Sequence, residues 1–177
     1  MKKLLSGRGV QLALDRLFKA VLSHLPPENR IAVIGMRTRG QTLAERLICR
    51  LRAQRPELRI DHGVLDITFY RDDLAMRRGA PVVRATEIDF DVDGAWVLLV
   101  DDVLQTGRSV RAALDAIADF GRPRIVRLAV LIDRGGRELP IAADFIGRSL
   151  RVTSGARVQV KLKENDGEEG VFIVANA

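Results

Sequence analysis

Two adjacent carboxylates, Asp101 and Asp102, close the apolar run Val97-Leu98-Leu99-Val100, and Thr106-Gly107-Arg108-Ser109 follows within a few residues. Paired carboxylates can accept hydrogen bonds from vicinal sugar hydroxyls, or hold Mg²⁺ directly or through water. A Thr-Gly turn that opens a helix offers unpaired backbone N–H groups, two hydroxyls and the positive end of the helix dipole, which together suit a phosphate. Gly107 lets the backbone approach a ligand closely. On its own the turn reads as an ordinary N-cap. The acid pair at this spacing makes it a site for a ligand carrying both a sugar and a phosphate. Strand alternation is expected to send one carboxylate to each face of its sheet, since two unpaired buried charges would be costly.

The elements that must position these groups alternate between two periodicities. Val10, Leu14, Leu17, Phe18, Val21, Leu22 and Leu25 recur at helical spacing, so Gly9 to about Leu25 reads as an amphipathic helix stopped by Pro26-Pro27. Ile31-Ala32-Val33-Ile34-Gly35 suits a buried parallel strand, and a helix carrying Leu43, Leu47, Ile48 and Leu51 follows. Leu58 to Tyr70 reads as strand, Thr86 to Phe90 as a further short strand, and Val110 to Ala118 as a helix closed by Gly121 and Pro123. Ile125 to Asp133 is a buried strand, and the remainder reads as short strands with a hairpin turn at Asn165-Asp166-Gly167. Alternating strands and helices predict an α/β protein with a parallel sheet, in which ligands bind beyond the carboxyl ends of the strands. The loops after Gly35, Val100 and Ile132 all follow strands and can line one crevice.

In the first of those loops Arg37 and Arg39 flank Thr38, and guanidinium forks match phosphate oxygens. The segment from Arg71-Asp72-Asp73 to Pro81 is charged and punctuated by Gly and Pro, and reads as a mobile loop. His24 and His62 sit on a helix and beside a strand, without the neighbours of a catalytic base. With 177 residues, 47% hydrophobic and 29% charged, the chain fits one domain spanning residues 1–177 with a sizeable core. No apolar run reaches the roughly 20 residues of a bilayer span, and the start lacks the apolar stretch of a signal peptide. A single cysteine, Cys49, forms no internal disulfide and suits a reducing cytoplasm. A formal charge of +6 favours anionic partners.

Val97 to Ser109 resembles the phosphoribosyl-pyrophosphate (PRPP) signature of type I phosphoribosyltransferases. Gly35-Met36-Arg37-Thr38-Arg39-Gly40, Leu65 to Leu74 and Asp133-Arg134-Gly135-Gly136-Arg137-Glu138-Leu139-Pro140 resemble the PyrR family, pyrimidine operon regulators that are also uracil phosphoribosyltransferases. The resemblance implies the type I fold: a mostly parallel central sheet flanked by helices, with a small hood. It implies synthesis of UMP and pyrophosphate from uracil and PRPP with Mg²⁺. Asp101 and Asp102 would hold the ribose hydroxyls and the metal. The stretch Val103, Leu104, Gln105, Thr106, Gly107, Arg108 and Ser109 would bind PRPP through its 5′-phosphate, and Thr38 and Arg39 would contact pyrophosphate. Arg71, Asp72 and Asp73 would open the loop that closes over PRPP, with Arg71 in the catalytic set. Asp133 and Arg134 would lie at the uracil pocket, mostly through backbone contacts. A homodimer or tetramer, with UMP or UTP as product or effector, is also implied.

The chain departs from that pattern where regulation would reside. RNA-regulating members carry Thr-Arg and a His on the first helix; here the positions read Asp15, Arg16 and Lys19, and an acid at Asp15 repels phosphates. Gly136 stands where His is usual, and Gln105 where Tyr is common. Arg16, Lys19, Arg148 and Arg151, with Arg8 and Arg157, could still form a basic surface for a leader RNA. The competing reading is therefore an RNA-binding attenuator that senses UMP or UTP with little or no catalysis.

Overall fold

A computed structural model describes residues 1–70, 85–152 and 155–174. Five strands form an all-parallel sheet: β2 (Arg30–Met36), β3 (Arg59–Leu65), β4 (Trp96–Leu104), β5 (Ile125–Asp133) and β6 (Phe145–Ser149), in the order β3-β2-β4-β5-β6. Helices α1 (Gly7–Leu22) and α2 (Arg39–Gln54) cover one face, and α3 (Arg108–Ala118) covers the other. Central strand β4 is buried on both faces, which is why Val97–Val100 is continuously apolar rather than alternating. Leu98 and Val100 join the core under α1 and α2, while Val97 and Leu99 join the core under α3.

A second, antiparallel sheet forms the hood. Strands β1 (Lys2–Ser6), β8 (Gly170–Val174) and β7 (Arg157–Lys161) pair in that order, with the short helix α4 (Lys163–Asp166) between β7 and β8. Val158, Val160, Leu162 and Val171 continue the core under α1 and α2, so the hood is packed onto the main body. The Ser6 hydroxyl accepts from the Gly9 amide at 3.3 Å and starts α1 directly at the end of β1.

The fold class matches the expectation, one strand was not anticipated, and three local readings change. Residues 2–6, too short and basic to stand out, form an edge strand. Leu58–Tyr70 is not one strand: Asp66 Oδ1 accepts from the Thr68 amide at 2.8 Å, an Asx turn that ends the strand and leads into a 3₁₀ turn at Thr68–Tyr70. Thr86–Phe90 contributes only the bridge between Val64 and Glu87 on the outer edge of β3. Asn165-Asp166-Gly167 does lie between two antiparallel strands, but as the end of α4. Asp166 Oδ2 accepts from the Leu162 amide at 2.9 Å, and Gly167 terminates the turn at φ +71°.

Candidate active site

A cleft of about 420 Å³ opens at the carboxyl end of β4, bounded by the β4–α3 turn on one side and β7 of the hood on the other. Asp101 and Asp102 both line it, together with Val103, Leu104 and the whole turn from Gln105 to Ser109. The strand runs on to Leu104, so the acids lie within it and not after it. They were expected on opposite faces. The phase of Val97–Val100 carries Asp101 to the α3 side, where its register partner Val130 also packs, and Asp102 to the other; the alternation slips only after Asp102, where Val103 packs with the core under α1 and α2 and Leu104 with the core under α3. On β5, Leu131 and Ile132 both join the core under α1 and α2, so the neighbouring strand slips alongside. Asp101 Oδ1 accepts from the Asp102 amide at 2.8 Å, a local bond that accompanies the break.

Asp101 is 9% exposed and Asp102 is half-buried. Burial pushes the Asp102 carboxyl above the usual carboxylate range, against opposing pulls from Asp101 and from the Arg39 charge. The Thr-Gly turn is built as a cradle. Gly107 takes φ +92°, and a Cβ there would meet Ile141 Cβ at 3.2 Å. The Thr106 hydroxyl accepts from the Arg108 amide at 3.3 Å, and its carbonyl accepts from Glu138 and Leu139, which ties the turn to the β5–β6 connection. The amides that open α3 have no carbonyl acceptors within the helix.

Arg39, at the start of α2, reaches the same cleft and is held from behind. Its Nε and Nη2 donate to the two oxygens of Asp166 at 3.1 and 2.6 Å. That bond pulls the Asp166 carboxyl below its ordinary range and raises the guanidinium. Gly40 makes the approach of α2 possible, because a Cβ there would lie 2.5 Å from the Val100 carbonyl oxygen. Arg37 does not face the cleft: it bonds Glu87 at 2.5 Å and the Ala85 carbonyl at 2.8 Å, on the β3 edge. Thr38 is exposed at the N-cap of α2, makes no capping bond and does not line the cleft.

A neighbouring cavity of about 240 Å³ shares Gln105 and Arg157 with the cleft and adds Arg134, Gly155 and Ala156. Arg134 is among the lining residues and its Nη1 donates to the Ala156 carbonyl at 2.6 Å, whereas the Asp133 carboxylate is turned into its own loop. There it pairs with Arg137 at 2.6 Å and accepts from the Gly135 amide at 3.0 Å. Burial raises the Asp133 carboxyl, but those bonds outweigh it and leave the group below its ordinary range. Arg71, Asp72 and Asp73 lie outside the described residues. Asp166 and the β7 wall escaped the sequence reading because their approach depends on the hood, while Glu138 reaches the cleft from the β5–β6 connection, where it pairs with Arg108. Arg157, grouped there with the RNA-facing bases, lines the cleft instead.

Mg²⁺ binds through one or two carboxylates plus ligand phosphates and water, and seldom needs an all-protein cage. The described residues hold no cluster of three or more His, Cys, Asp or Glu able to cage a metal. The two cleft-lining carboxylates fit a Mg²⁺ shared with the ligand. Among the described residues no helix is long and apolar enough to cross a membrane.

Residues 1–165 match the phosphoribosyl transferase domain family. The chain is 48% identical over 174 residues to the bifunctional protein PyrR of Roseiflexus sp. (strain RS-1), covering 98% of this chain and 94% of that one. It is 49% identical over 173 residues to the bifunctional protein PyrR of Chloroflexus aurantiacus, with coverage of 98% and 94%. The chain belongs to the PyrR family of phosphoribosyltransferases. Among solved structures, a hypoxanthine-guanine phosphoribosyltransferase from Bacillus anthracis superposes with a TM-score of 0.73 at 15% identity, covering 99% of both chains. That likeness establishes the fold. Within the PyrR family frame, the cleft between β4 and the hood is where the signature turn, the acid pair and Arg39 converge.

Proposed function

We propose that this protein transfers the phosphoribosyl group of PRPP to uracil, giving UMP and pyrophosphate. The observation that carries this reading is the meeting of Asp101, Asp102, the Thr106–Ser109 turn and Arg39 on one cleft. The turn holds the 5′-phosphate, the acid pair accepts from the ribose hydroxyls, and Arg39 meets the pyrophosphate. Asp101 and Asp102 would hold Mg²⁺ with PRPP oxygens, and the ion supplies neutralisation of the leaving pyrophosphate. The smaller cavity beside the cleft takes the base, with Arg134 on its wall. We place the activity in the cytoplasm and in a homodimer or tetramer, the latter to be read by sedimentation.

The test is PRPP turnover with uracil, cytosine, hypoxanthine and orotate as acceptors. Uracil-dependent release of pyrophosphate with UMP as product is expected. Folded protein that leaves PRPP untouched in the presence of uracil would overturn the reading.

A second activity, binding of a pyrimidine-gene leader RNA, is favoured by one observation. Arg16, Lys19, Arg148 and Arg151 are all exposed, and α1 packs directly on β6. Asp15, the acid among them, is engaged by Arg50 at 2.6 Å. Binding to such a transcript, strengthened by UMP or UTP and falling steeply with salt, is the expected result. Absent or salt-insensitive binding rejects it.

A further inference from the structure

A separate cavity of about 210 Å³ lies at the amino end of β4, the opposite end of that strand from the cleft. Strand β2 starts at Arg30, but its pairing with β4 begins only at Ala32 and Val97. The cavity occupies the space where the two strands part, with Trp96 on its wall. Trp96 is 6% exposed. Its indole N–H has no partner among the described residues and is not sealed from solvent, so it opens on this space. Four carboxylates and two guanidinium groups also line the cavity. Arg124 pairs with Glu28 at 2.9 Å and Arg30 with Asp61 at 3.0 Å, which leaves Asp91 and Asp93 without a cation among the described residues. Asp91 accepts from the Asp93 amide at 2.9 Å, and Asp93 from the Arg122 amide at 2.5 Å. The wall therefore carries two uncompensated negative charges around a buried, unused hydrogen-bond donor.

We infer that this cavity binds a compact organic cation carrying a carbonyl acceptor, and so forms a ligand site apart from the sugar-phosphate cleft. Asp91 and Asp93 take the cationic end, since planar N–H donors pair two at a time with carboxylate oxygens and such bonds are about twice as strong as neutral ones. The carbonyl accepts from the Trp96 indole N–H, a donor that a purely apolar guest would leave unused. PRPP, UMP and pyrophosphate are all anions and are repelled by this wall. A bare metal ion does not fit either, because the described residues hold no cluster of three or more His, Cys, Asp or Glu able to cage one. Size narrows the class further: the cavity is smaller than the roughly 300–1,000 Å³ of pockets that hold drug-sized ligands. The guest is therefore a free amine or guanidine of about a dozen heavy atoms.

Trp96 is the only tryptophan in the chain, so a ¹⁵N-labelled sample gives a single indole cross-peak that reports on this site alone. The experiment titrates the full chain, at low salt, with argininamide, citrullinamide and agmatine. Argininamide supplies a guanidinium, an ammonium and a carbonyl. Citrullinamide replaces the guanidinium by a neutral urea, and agmatine keeps both cationic groups but lacks the carbonyl. Argininamide is expected to move the indole peak downfield and saturably, with a Kd on the order of 1 mM for a ligand of this size. Citrullinamide binds roughly tenfold more weakly, and agmatine binds without the downfield shift. Asp91→Asn keeps an acceptor for the Asp93 amide, removes one charge and weakens argininamide by roughly tenfold. Added salt weakens it in the wild-type chain. An indole peak that argininamide does not move overturns the inference. So do equal affinity for citrullinamide, an equal downfield shift with agmatine, and unchanged affinity in Asp91→Asn.

Discussion

Asp101 and Asp102 both line the cleft although the alternation of β4 directs them to opposite faces of the sheet, just before that alternation slips at Val103. The pair was legible as residue types and spacing. The slip that follows at Val103 was not, because a change of pleat phase leaves no mark in apolar residues. Replacing both acids by Asn is expected to reduce PRPP turnover by at least on the order of 10³, with the fold retained. Retained turnover in a steady-state assay would remove them from the site. Burial raises the Asp102 carboxyl above its unfolded value, so folding strains its charged form. The associated stability is present below the usual carboxylate pKa and is lost as pH rises through the raised folded value. Asp102→Asn alone should therefore raise the urea midpoint of the unliganded protein at neutral pH. Gly107→Ala should cost about 1–3 kcal/mol in the same measurement, because a side chain at φ +92° is strained and Ile141 stands against it. Arg37 and Arg39 look equivalent as letters. Only Glu87 and Asp166, each distant in sequence, send one to the sheet edge and the other to the cleft.

At the scale of elements, one stripe of α2 buckles the hood to the main body. Arg39 bonds Asp166, the Thr42 hydroxyl donates to Asn165 at 2.8 Å, and Arg46 pairs with Glu164 at 2.6 Å and Glu169 at 2.5 Å. The helical spacing of α2 was legible, but its polar stripe reads equally well as a solvated face. The partner, α4, looked like a hairpin turn, so nothing in the sequence announced the buckle. Asp166→Asn is expected to cost about 1.5–3 kcal/mol in urea unfolding, the range for a hydrogen bond between charged groups. It should also raise KM for PRPP more than it lowers kcat, because Arg39 loses its anchor. The Asp166 and Glu164 carboxyls are held below their ordinary range by Arg39 and Arg46. Their stabilisation is full above the usual carboxylate pKa and is lost as pH falls through the depressed folded values. An acid titration followed by circular dichroism should show a shallower acid limb in Asp166→Asn than in the wild-type chain.

At the scale of the whole molecule, the parallel sheet and its flanking helices followed directly from hydrophobic periodicity. The hood did not, because its three strands are short and are drawn from opposite ends of the sequence. Among the described residues strand β1 pairs only with β8, through Lys2–Ile173, Lys3–Phe172, Leu5–Val171 and Ser6–Gly170. Deleting residues 2–6 is expected to expose the edge of β8 and weaken PRPP binding, while the five-stranded sheet keeps its far-ultraviolet signature. A deletion variant with unchanged PRPP affinity would show that β1 does not support the cleft. The same pairing has a consequence during synthesis. Strands β2 to β6 can fold as the chain emerges, since their contacts are comparatively local. The β7 wall, in contrast, waits for β8, and β8 waits for a partner made at the very beginning. Contacts between such distant segments form slowly. A nascent chain can therefore own its sugar-phosphate turn long before it owns a closed cleft, and PRPP binding should be the last property to return on refolding.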